Sequence, residues 1–216
     1  MRRLYIFGVS SFAKLLYYYE TVELNREVAG FCLDKEFITG EEKLPAPLFA
    51  FEDIKDTGSD ILIGIGYNEM NSIRKKIYDK VKLSSCNIVS FIHPTAYIAK
   101  NVVLGEGCIV LENVTIQPFV KIGVCNIVWS AVSVAHHTTI GDFNFIGTMS
   151  SISGDCKITN YCFLGTNSTL KNGICIAQST LIGAGTYVNK NTQEEEVYTI
   201  SDANLKDRKS STYKKI

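Results

Sequence analysis

The sequence has few of the residues that mark disulfide-stabilised or metal-binding proteins. Its 216 residues include three histidines, one tryptophan and four prolines. The seven cysteines are an odd number, with no CxxC pair and no His/Cys cluster at zinc spacing. We therefore expect free thiols in a reducing cytoplasm and no bound metal.

Net charge and long apolar runs are also missing. Lys+Arg and Asp+Glu number 22 each, so no basic stripe predicts a nucleic-acid or membrane partner. No segment approaches the roughly 20 apolar residues of a spanning helix. The opening MRRLYIFGVSSFAKLL is broken by Ser10, Ser11 and Lys14, which favours strand, turn and helix over a signal peptide. These features predict a soluble cytoplasmic protein.

The strongest pattern present is a repeat of six residues. Seventeen consecutive positions at this spacing carry only Ile, Leu or Val, without a break in register. They are Ile92, Ile98, Leu104, Val110, Ile116, Ile122, Val128, Val134, Ile140, Ile146, Ile152, Ile158, Leu164, Leu170, Ile176, Ile182 and Val188. Such a period predicts short strands joined by tight corners, three to a coil, with each aliphatic stacked on the one eighteen residues away.

Small residues accompany the repeat. The position two before each aliphatic is usually small, and the next position after it is often glycine, as expected at tight corners where φ is positive or backbones approach closely. Cys108, Cys156 and Cys162 fall on the small position and are predicted to be buried packing residues. The remaining cysteines have no base at recognisable spacing, so a cysteine nucleophile is not expected.

The region before the repeat predicts a different fold. Strands near 4–7, 28–33 and 61–65 alternate with helices, one of them near 71–82, which is typical of a small parallel α/β unit. The predicted organisation is a Rossmann-like domain at 1–86, a β-helix domain at 87–196 and a polar C-terminal tail at 197–216. The turn GVSSFA keeps only the first glycine of a GxGxxG fingerprint, Gly8, and alone is a weak phosphate motif. Asp34 either binds a ribose hydroxyl or is a solvated turn acid.

The whole pattern resembles the hexapeptide-repeat acyltransferases, specifically the nucleotide-sugar N-acetyltransferases and sialic acid O-acetyltransferases. The resemblance implies a left-handed parallel β-helix, a homotrimer with active sites between subunits, and acetyl-CoA as co-substrate. It also implies a sugar-nucleotide pocket in the N-terminal domain, carried by the GVSSFA turn, the strand-end acid and the segment GIGYNEMNSIRKKI. The implied substrate-binding residues are Gly8, Ser10, Ser11, Asp34, Gly66 and Asn68.

The same resemblance identifies a candidate general base. The segment SVAHHTTIGD is similar to the family element V-x-H-[DE]-x-x-I-G, in which the histidine is the base and matches His136. The acid that usually follows this histidine is replaced by His137. We call His136 and His137 the doublet; together with Trp129 and Ser130 it also fits the W-S-x5-H-H pattern of one branch of the family. From spacing alone the doublet could be two exposed surface histidines. His93, in FIHPTAYI, is predicted to be structural.

Residues one coil above the doublet complete the predicted catalytic site. Gly154 lies eighteen residues after His136, where the resemblance implies a backbone oxyanion donor that also contacts the cofactor. Asp155 lies eighteen residues after His137 and either orients the imidazole or is a corner acid. A further family histidine, nine residues after the base, is replaced by Phe145.

The C-terminal part supplies a predicted coenzyme site. The resemblance assigns Gly183, Ala184 and Gly185, in LIGAGTYV, to the CoA arm. The polar tail is expected to be solvated, or alternatively to approach the CoA phosphates through its basic residues Lys206, Arg208, Lys209, Lys214 and Lys215.

The resemblance favours acetylation of the amino group of a nucleotide-linked amino sugar, by direct transfer. The runner-up is O-acetylation of a sugar or sialic acid, because nothing in the sequence reports the acceptor atom. A non-catalytic sugar-nucleotide scaffold is a third alternative. A γ-type carbonic anhydrase needs three zinc-binding histidines, and the separation of 43 residues between His93 and His136 does not match the coil period.

Overall fold

The computed structural model describes residues 2–201, so the basic residues of the tail lie outside the described part of the chain. An N-terminal unit contains a parallel five-stranded sheet with strand order β3-β2-β1-β4-β5. Its strands are β1 Leu4–Phe7, β2 Gly30–Leu33, β3 Leu48–Ala50, β4 Asp60–Ile63 and β5 Asn87–Ile88. Its helices are α1 Ser11–Tyr18, α2 Phe51–Ile54 and α3 Ser72–Lys82, with a π-helical turn Tyr19–Glu23 and a 3-10 turn Lys35–Phe37. The predicted α/β unit is confirmed, although the two short strands β3 and β5 were not anticipated.

The repeat folds as a parallel β-helix with three faces, and the left-handed β-helix expected from the resemblance is confirmed by this stacking and by the similar solved structures described below. Face 1 contains Phe91–Ile92, Ile109–Val110, Ile127–Val128, Phe145–Ile146, Phe163–Leu164, Leu181–Ile182 and Val197–Tyr198. Face 2 contains Tyr97–Ile98, Thr115–Ile116, Ser133–Val134, Ser151–Ile152, Thr169–Leu170 and Tyr187–Val188. Face 3 contains Val103–Leu104, Lys121–Ile122, Thr139–Ile140, Lys157–Ile158 and Cys175–Ile176.

Both predicted limits of the β-helix domain shift slightly. β5, at residues 87–88, pairs with β4 and therefore belongs to the N-terminal sheet, so the first coil begins at Phe91. At the other end Val197–Tyr198 pairs with Leu181–Ile182, which extends face 1 beyond residue 196. Such short pairings carry no periodic signal and were invisible in the sequence.

The aliphatic column forms the interior of the prism. From Val110 to Val188 every repeat position is at most 2% exposed and belongs to one continuous core. Ile92 is 42% exposed because no coil stacks beneath it. The small position packs as predicted: Cys108, Cys156 and Cys162 are buried, and each thiol donates to a backbone carbonyl of the next coil at 3.1–3.2 Å.

The corners use a different left-handed position from the one expected. Positive φ recurs at every sixth residue from Gly107 to Gly185, three places after each aliphatic, and includes His137 and Asp155. The glycines directly after the aliphatics are instead required by close packing. A Cβ on Gly147 would lie 2.7 Å from the backbone N of Thr166 and 2.8 Å from the backbone O of Leu164 in the next coil.

The N-terminal unit covers face 1 and its two flanking corners. Outward-facing Phe91, Ile109 and Ile127 of face 1 are buried against Ile6 and Leu16 of the N-terminal unit. Because a triangular prism has one corner opposite each face, the corner between faces 2 and 3 points away from this unit. We call it corner 2; it comprises residues 117–120, 135–138, 153–156 and 171–174.

Candidate active site

Corner 2 carries the histidine doublet. The Nδ1 atoms of His136 and His137 lie 3.0 Å apart and share a hydrogen bond, and both side chains are exposed. The backbone N–H of His136 donates to Gln117 Oε1 at 3.0 Å, and the ring of Phe119 stacks on His137 with centroids 4.7 Å apart. Because His137 occupies the left-handed corner position, with φ of 59°, its ring turns back towards its neighbour.

This contact links the tautomers of the two imidazoles. In a pair of neutral rings joined through their Nδ1 atoms, one Nδ1 carries a proton and the other accepts it. When His136 is the donor, its Nε2 has a free lone pair and can take a proton from a nucleophile. His137, which stands where the resemblance implies an acid, thus contacts His136 through Nδ1. Which of His137 and Asp155 orients the imidazole stays a prediction.

Gly154 lies directly above the candidate base. A Cβ at this position would be 2.7 Å from His136 Cε1 and 3.1 Å from His136 Nε2, so only glycine leaves room for the ring as it stands. Within residues 2–201 no acceptor engages the Gly154 N–H, whereas its carbonyl accepts from Gly173 N at 3.0 Å. The Gly154 residue packed on the His136 ring therefore has a backbone N–H without an acceptor in the described residues.

Asp155 completes the cluster one coil above His137. Its backbone N–H donates to the His136 carbonyl at 3.0 Å, and its left-handed φ of 57° matches that of His137. The ligand-type atoms of His136, His137 and Asp155 all lie within 4.8 Å of one another. The structure thus brings together all four residues predicted to be catalytic.

The predicted coenzyme residues occupy another corner. Gly183, Ala184 and Gly185 lie between faces 1 and 2, so face 2 separates them from corner 2. Ala184 and Gly185 are exposed, and Gly185 has a left-handed φ of 69°. The two sets do not form one site within a single coil, although Gly154 and this turn border the same face.

Most of the predicted sugar-nucleotide residues meet at the carboxyl end of the N-terminal sheet. A cavity of about 360 Å³ is lined by Ser10, Ser11, Phe12, Ile65, Gly66, Tyr67 and Asn68. Ser10 also caps α1, its hydroxyl accepting from Ala13 N at 3.4 Å, so the start of a helix borders the cavity. Backbone N–H groups at a helix start favour an anionic ligand such as a phosphate.

Gly8 and Asp34 do not line this cavity. Gly8 is buried with φ of +121°, and a Cβ there would lie 2.9 Å from the backbone O of Gly64. Glycine is therefore required for the conformation of the turn after β1. Lys80 Nζ lies 2.6 Å from Asp34 Oδ1 and 3.1 Å from Glu52 Oε1. The ribose role of Asp34 remains a prediction, and its carboxylate already has a cationic partner.

Two residues of this region were not singled out from the sequence. Tyr67, a wall of the cavity, packs edge-on against Phe145 and Phe163 of face 1 at 5.0 and 5.1 Å between centroids. Arg74 of α3 is 1% exposed and donates to the carbonyls of Cys125, Gly66 and Asn144 at 2.9, 2.6 and 3.1 Å. Burial lowers the pKa of this guanidinium to about 10. Arg74 stands in the quoted segment GIGYNEMNSIRKKI, but nothing in the spacing revealed its contacts.

His93 and the cysteines do not contribute to corner 2. His93 is buried, with Nδ1 2.8 Å from Thr95 Oγ1 and Nε2 3.0 Å from Glu23 Oε2, which confirms a structural position. It lies at the corner between faces 1 and 2, so the three histidines do not converge within one chain. Burial raises the thiol pKa of Cys108 and Cys162 to about 11, which disfavours nucleophilic thiolates.

Solved structures of known proteins share this architecture. PerB from Caulobacter crescentus, solved with CoA and GDP-perosamine, is 24% identical with a TM-score of 0.80, covering 91% of this chain and 93% of that chain. The acetyltransferase domain of PglB from Neisseria gonorrhoeae, solved with acetyl coenzyme A, is 19% identical with a TM-score of 0.79, covering 91% and 95%. WeeI from Acinetobacter baumannii AYE is 17% identical with a TM-score of 0.80, covering 91% and 96%. These matches establish the fold.

A curated relative and a protein family also match. The UDP-N-acetylbacillosamine N-acetyltransferase of Bacillus subtilis (strain 168) is 30% identical over 77 residues, which is 36% of this chain and 35% of that protein. The match therefore spans about a third of the relative. Residues 76–198, which include the end of α3 and the β-helix, match the family described as the GMPPB C-terminal domain. Since that segment is more than half of the sequence, the chain belongs to the GMPPB C-terminal domain family.

Proposed function

We propose that this protein is an acetyl-CoA-dependent N-acetyltransferase acting on the amino group of a nucleotide-linked amino sugar. The observation that carries the proposal is the placement of His136 Nε2 beside the Gly154 backbone, with the other ring nitrogen held by His137. The curated relative bears the name of such an enzyme, and PerB was solved with CoA and a nucleotide amino sugar. The cavity at the helix start supports the nucleotide part of the substrate.

The residues of corner 2 suffice for direct transfer. The unprotonated amine attacks the thioester carbonyl, a C–N bond forms, and His136 Nε2 takes the amine proton. The Gly154 N–H donates to the oxyanion of the tetrahedral intermediate. When that intermediate collapses, the C–S bond breaks and the proton passes from His136 to the CoA thiolate. No covalent enzyme intermediate is needed because both substrates are held together.

We further propose that the enzyme works as a homotrimer. The cavity adjoins face 1, whereas His136 occupies the opposite corner, so the thickness of the prism separates them within one chain. A second copy that packs its corner 2 against the cavity of the first would unite the two halves, and three copies close the ring. The turn Gly183–Gly185 would then border the cleft that receives CoA.

Mixing two inactive variants tests this arrangement. His136→Ala removes the base, whereas Gly66→Trp blocks the cavity, because Gly66 has no neighbour within 4 Å of an added Cβ. Subunit exchange in an equal mixture should restore about one quarter of the wild-type rate if each site uses two chains. A mixture that stays inactive after demonstrated exchange means that each site is built within one chain.

The reaction itself is tested with acetyl-CoA and a panel of dTDP-, UDP- and GDP-linked amino sugars. Mass spectrometry should detect a gain of one acetyl group, and fragmentation should place it on nitrogen. An acetyl group on oxygen would make the enzyme an O-acetyltransferase. Binding of both substrates, seen as raised melting temperatures, without any transfer would leave a scaffold as the function.

We also propose a cytoplasmic location. All seven cysteines are free thiols, and five of them are buried. No helix in the described residues is long and apolar enough to cross a membrane. Fractionation of cells that express the natural gene, with the enzyme assay as the readout, tests this location.

A further inference from the structure

The cluster at corner 2 contains more ligand atoms than a general base requires. His136, His137 and Asp155 present two imidazole nitrogens and a carboxylate oxygen within 4.8 Å of one another. All three side chains are exposed to solvent. We propose that these residues bind a divalent transition-metal ion such as Zn²⁺, and that the bound metal stops acetyl transfer. The second half of this inference rests on the proposed function.

The separation of the two imidazole nitrogens is close to that required by such an ion. Imidazole nitrogens bind Zn²⁺ at about 2.0–2.1 Å, which in a tetrahedral site separates two of them by about 3.4 Å. The two Nδ1 atoms are 3.0 Å apart, so the rings need to open by only a few tenths of an ångström to admit a metal between them. The Asp155 carboxylate in the coil above lies within 4.8 Å of the imidazole nitrogens and would move in by up to about 1.4 Å to supply the third ligand. A water molecule can complete the tetrahedron.

The backbones of the ligand residues and the His137 ring are held in place before any metal arrives. Asp155 is tied by its N–H to the His136 carbonyl at 3.0 Å, and both His137 and Asp155 occupy left-handed corners. The His137 ring lies against Phe119, at 4.7 Å between centroids. A site whose ligands are already positioned loses less conformational entropy on binding.

A metal bound to Nδ1 of His136 would prevent this residue from acting as a base, because it fixes the other tautomer of the imidazole. A neutral imidazole that coordinates through Nδ1 keeps its proton on Nε2. His136 Nε2 would then be a donor, unable to accept the amine proton. The metal would also break the hydrogen bond from His136 to His137 that selects the active tautomer.

A direct binding experiment on the full chain tests the site without any substrate. Zn²⁺ is titrated into metal-free protein in competition with a chromophoric chelator, and one ion per chain is expected. Asp155→Asn and His137→Ala should each weaken binding by at least about tenfold. Glu41→Gln, which removes an exposed carboxylate from the N-terminal unit, is the matched control and should bind like wild type. Equal affinity in wild type and Asp155→Asn would place the metal elsewhere and overturn the proposal.

The inhibition is measured separately, by mass spectrometry of the acetylated product, because Zn²⁺ also binds the CoA thiol. Zn²⁺ at saturating concentration should reduce the wild-type rate at least about tenfold, as expected for loss of a general base, and EDTA should restore it. The concentration for half-inhibition should rise at least tenfold in Asp155→Asn, relative to that variant's own metal-free rate. Tight binding with no loss of rate would refute the inhibitory role. Because the titration needs no substrate, a chain inactive on every acceptor would count against the proposed function and not against the metal site.

Discussion

Gly154→Ala should remove activity while leaving the protein folded. The added Cβ would lie 2.7 Å from His136 Cε1, whereas carbon atoms in contact are normally about 3.5–4.0 Å apart. The imidazole is exposed and can turn aside, so the ring should move by about 1 Å. Gly154 is outside the left-handed region of φ, so alanine adds no backbone strain. A displacement of this size at the base corresponds to a loss of about 10²-fold in kcat, or about 2.7 kcal/mol of activation free energy.

A second glycine provides the contrast. A Cβ on Gly147 would meet only backbone atoms of the next coil, at 2.7–2.9 Å, and these cannot turn aside. Gly147→Ala should therefore lower the melting temperature, while the protein that remains folded keeps its kcat. The assays are acetyl transfer at saturating substrate and thermal unfolding by circular dichroism. A Gly154→Ala enzyme with wild-type kcat would refute the placement of His136 as the base beneath this glycine.

Three further predictions concern other parts of the site. His136→Ala should lower kcat, measured by steady-state kinetics, by about 10²–10⁴-fold, and His137→Ala should lower it less. A normal kcat in His136→Ala would disprove the role of His136 as the base. Arg74→Met should lower the free energy of unfolding by about 1–3 kcal/mol, because it leaves the buried Cys125 carbonyl without a donor and takes one donor each from the Gly66 and Asn144 carbonyls. Arg74→Lys should recover only part of this loss in urea unfolding, and an unchanged midpoint in Arg74→Met would contradict the structural role. Tyr67→Ala should raise the KM for the nucleotide sugar more than it lowers kcat, since this half-exposed ring forms a wall of the cavity. An unchanged KM would show that Tyr67 does not contact the substrate.

The arrangement of residues at corner 2 was predictable because the repeat converts a separation in sequence into a number of coils. The strand Ser133–Val134 pairs with Ser151–Ile152, so a separation of eighteen residues is one coil, and Gly154 falls above His136 as the arithmetic requires. The same arithmetic could not predict that the Nδ1 atoms of His136 and His137 face each other. That depends on the left-handed φ of His137, which turns its ring onto its neighbour.

The cavity at the carboxyl end of the N-terminal sheet was predicted less completely. Ser10, Ser11, Gly66 and Asn68 line one cavity because the carboxyl ends of parallel strands meet at one edge of a sheet. Asp34 follows the same rule but pairs with Lys80 of α3, a contact set by how the helix packs on the sheet.

The sequence by itself determined the prism, its interior column and the vertical order of its corners, because a strict period of six stacks each aliphatic on the one eighteen residues away. Only the tertiary structure decided which face the N-terminal unit covers. That choice depends on aromatic and aliphatic side chains on the outside of face 1, and on the carbonyls that Arg74 reaches, and none of these contacts has a period. It is also the choice that separates the cavity from His136 within one chain, because the unit that carries the cavity packs on the face opposite corner 2.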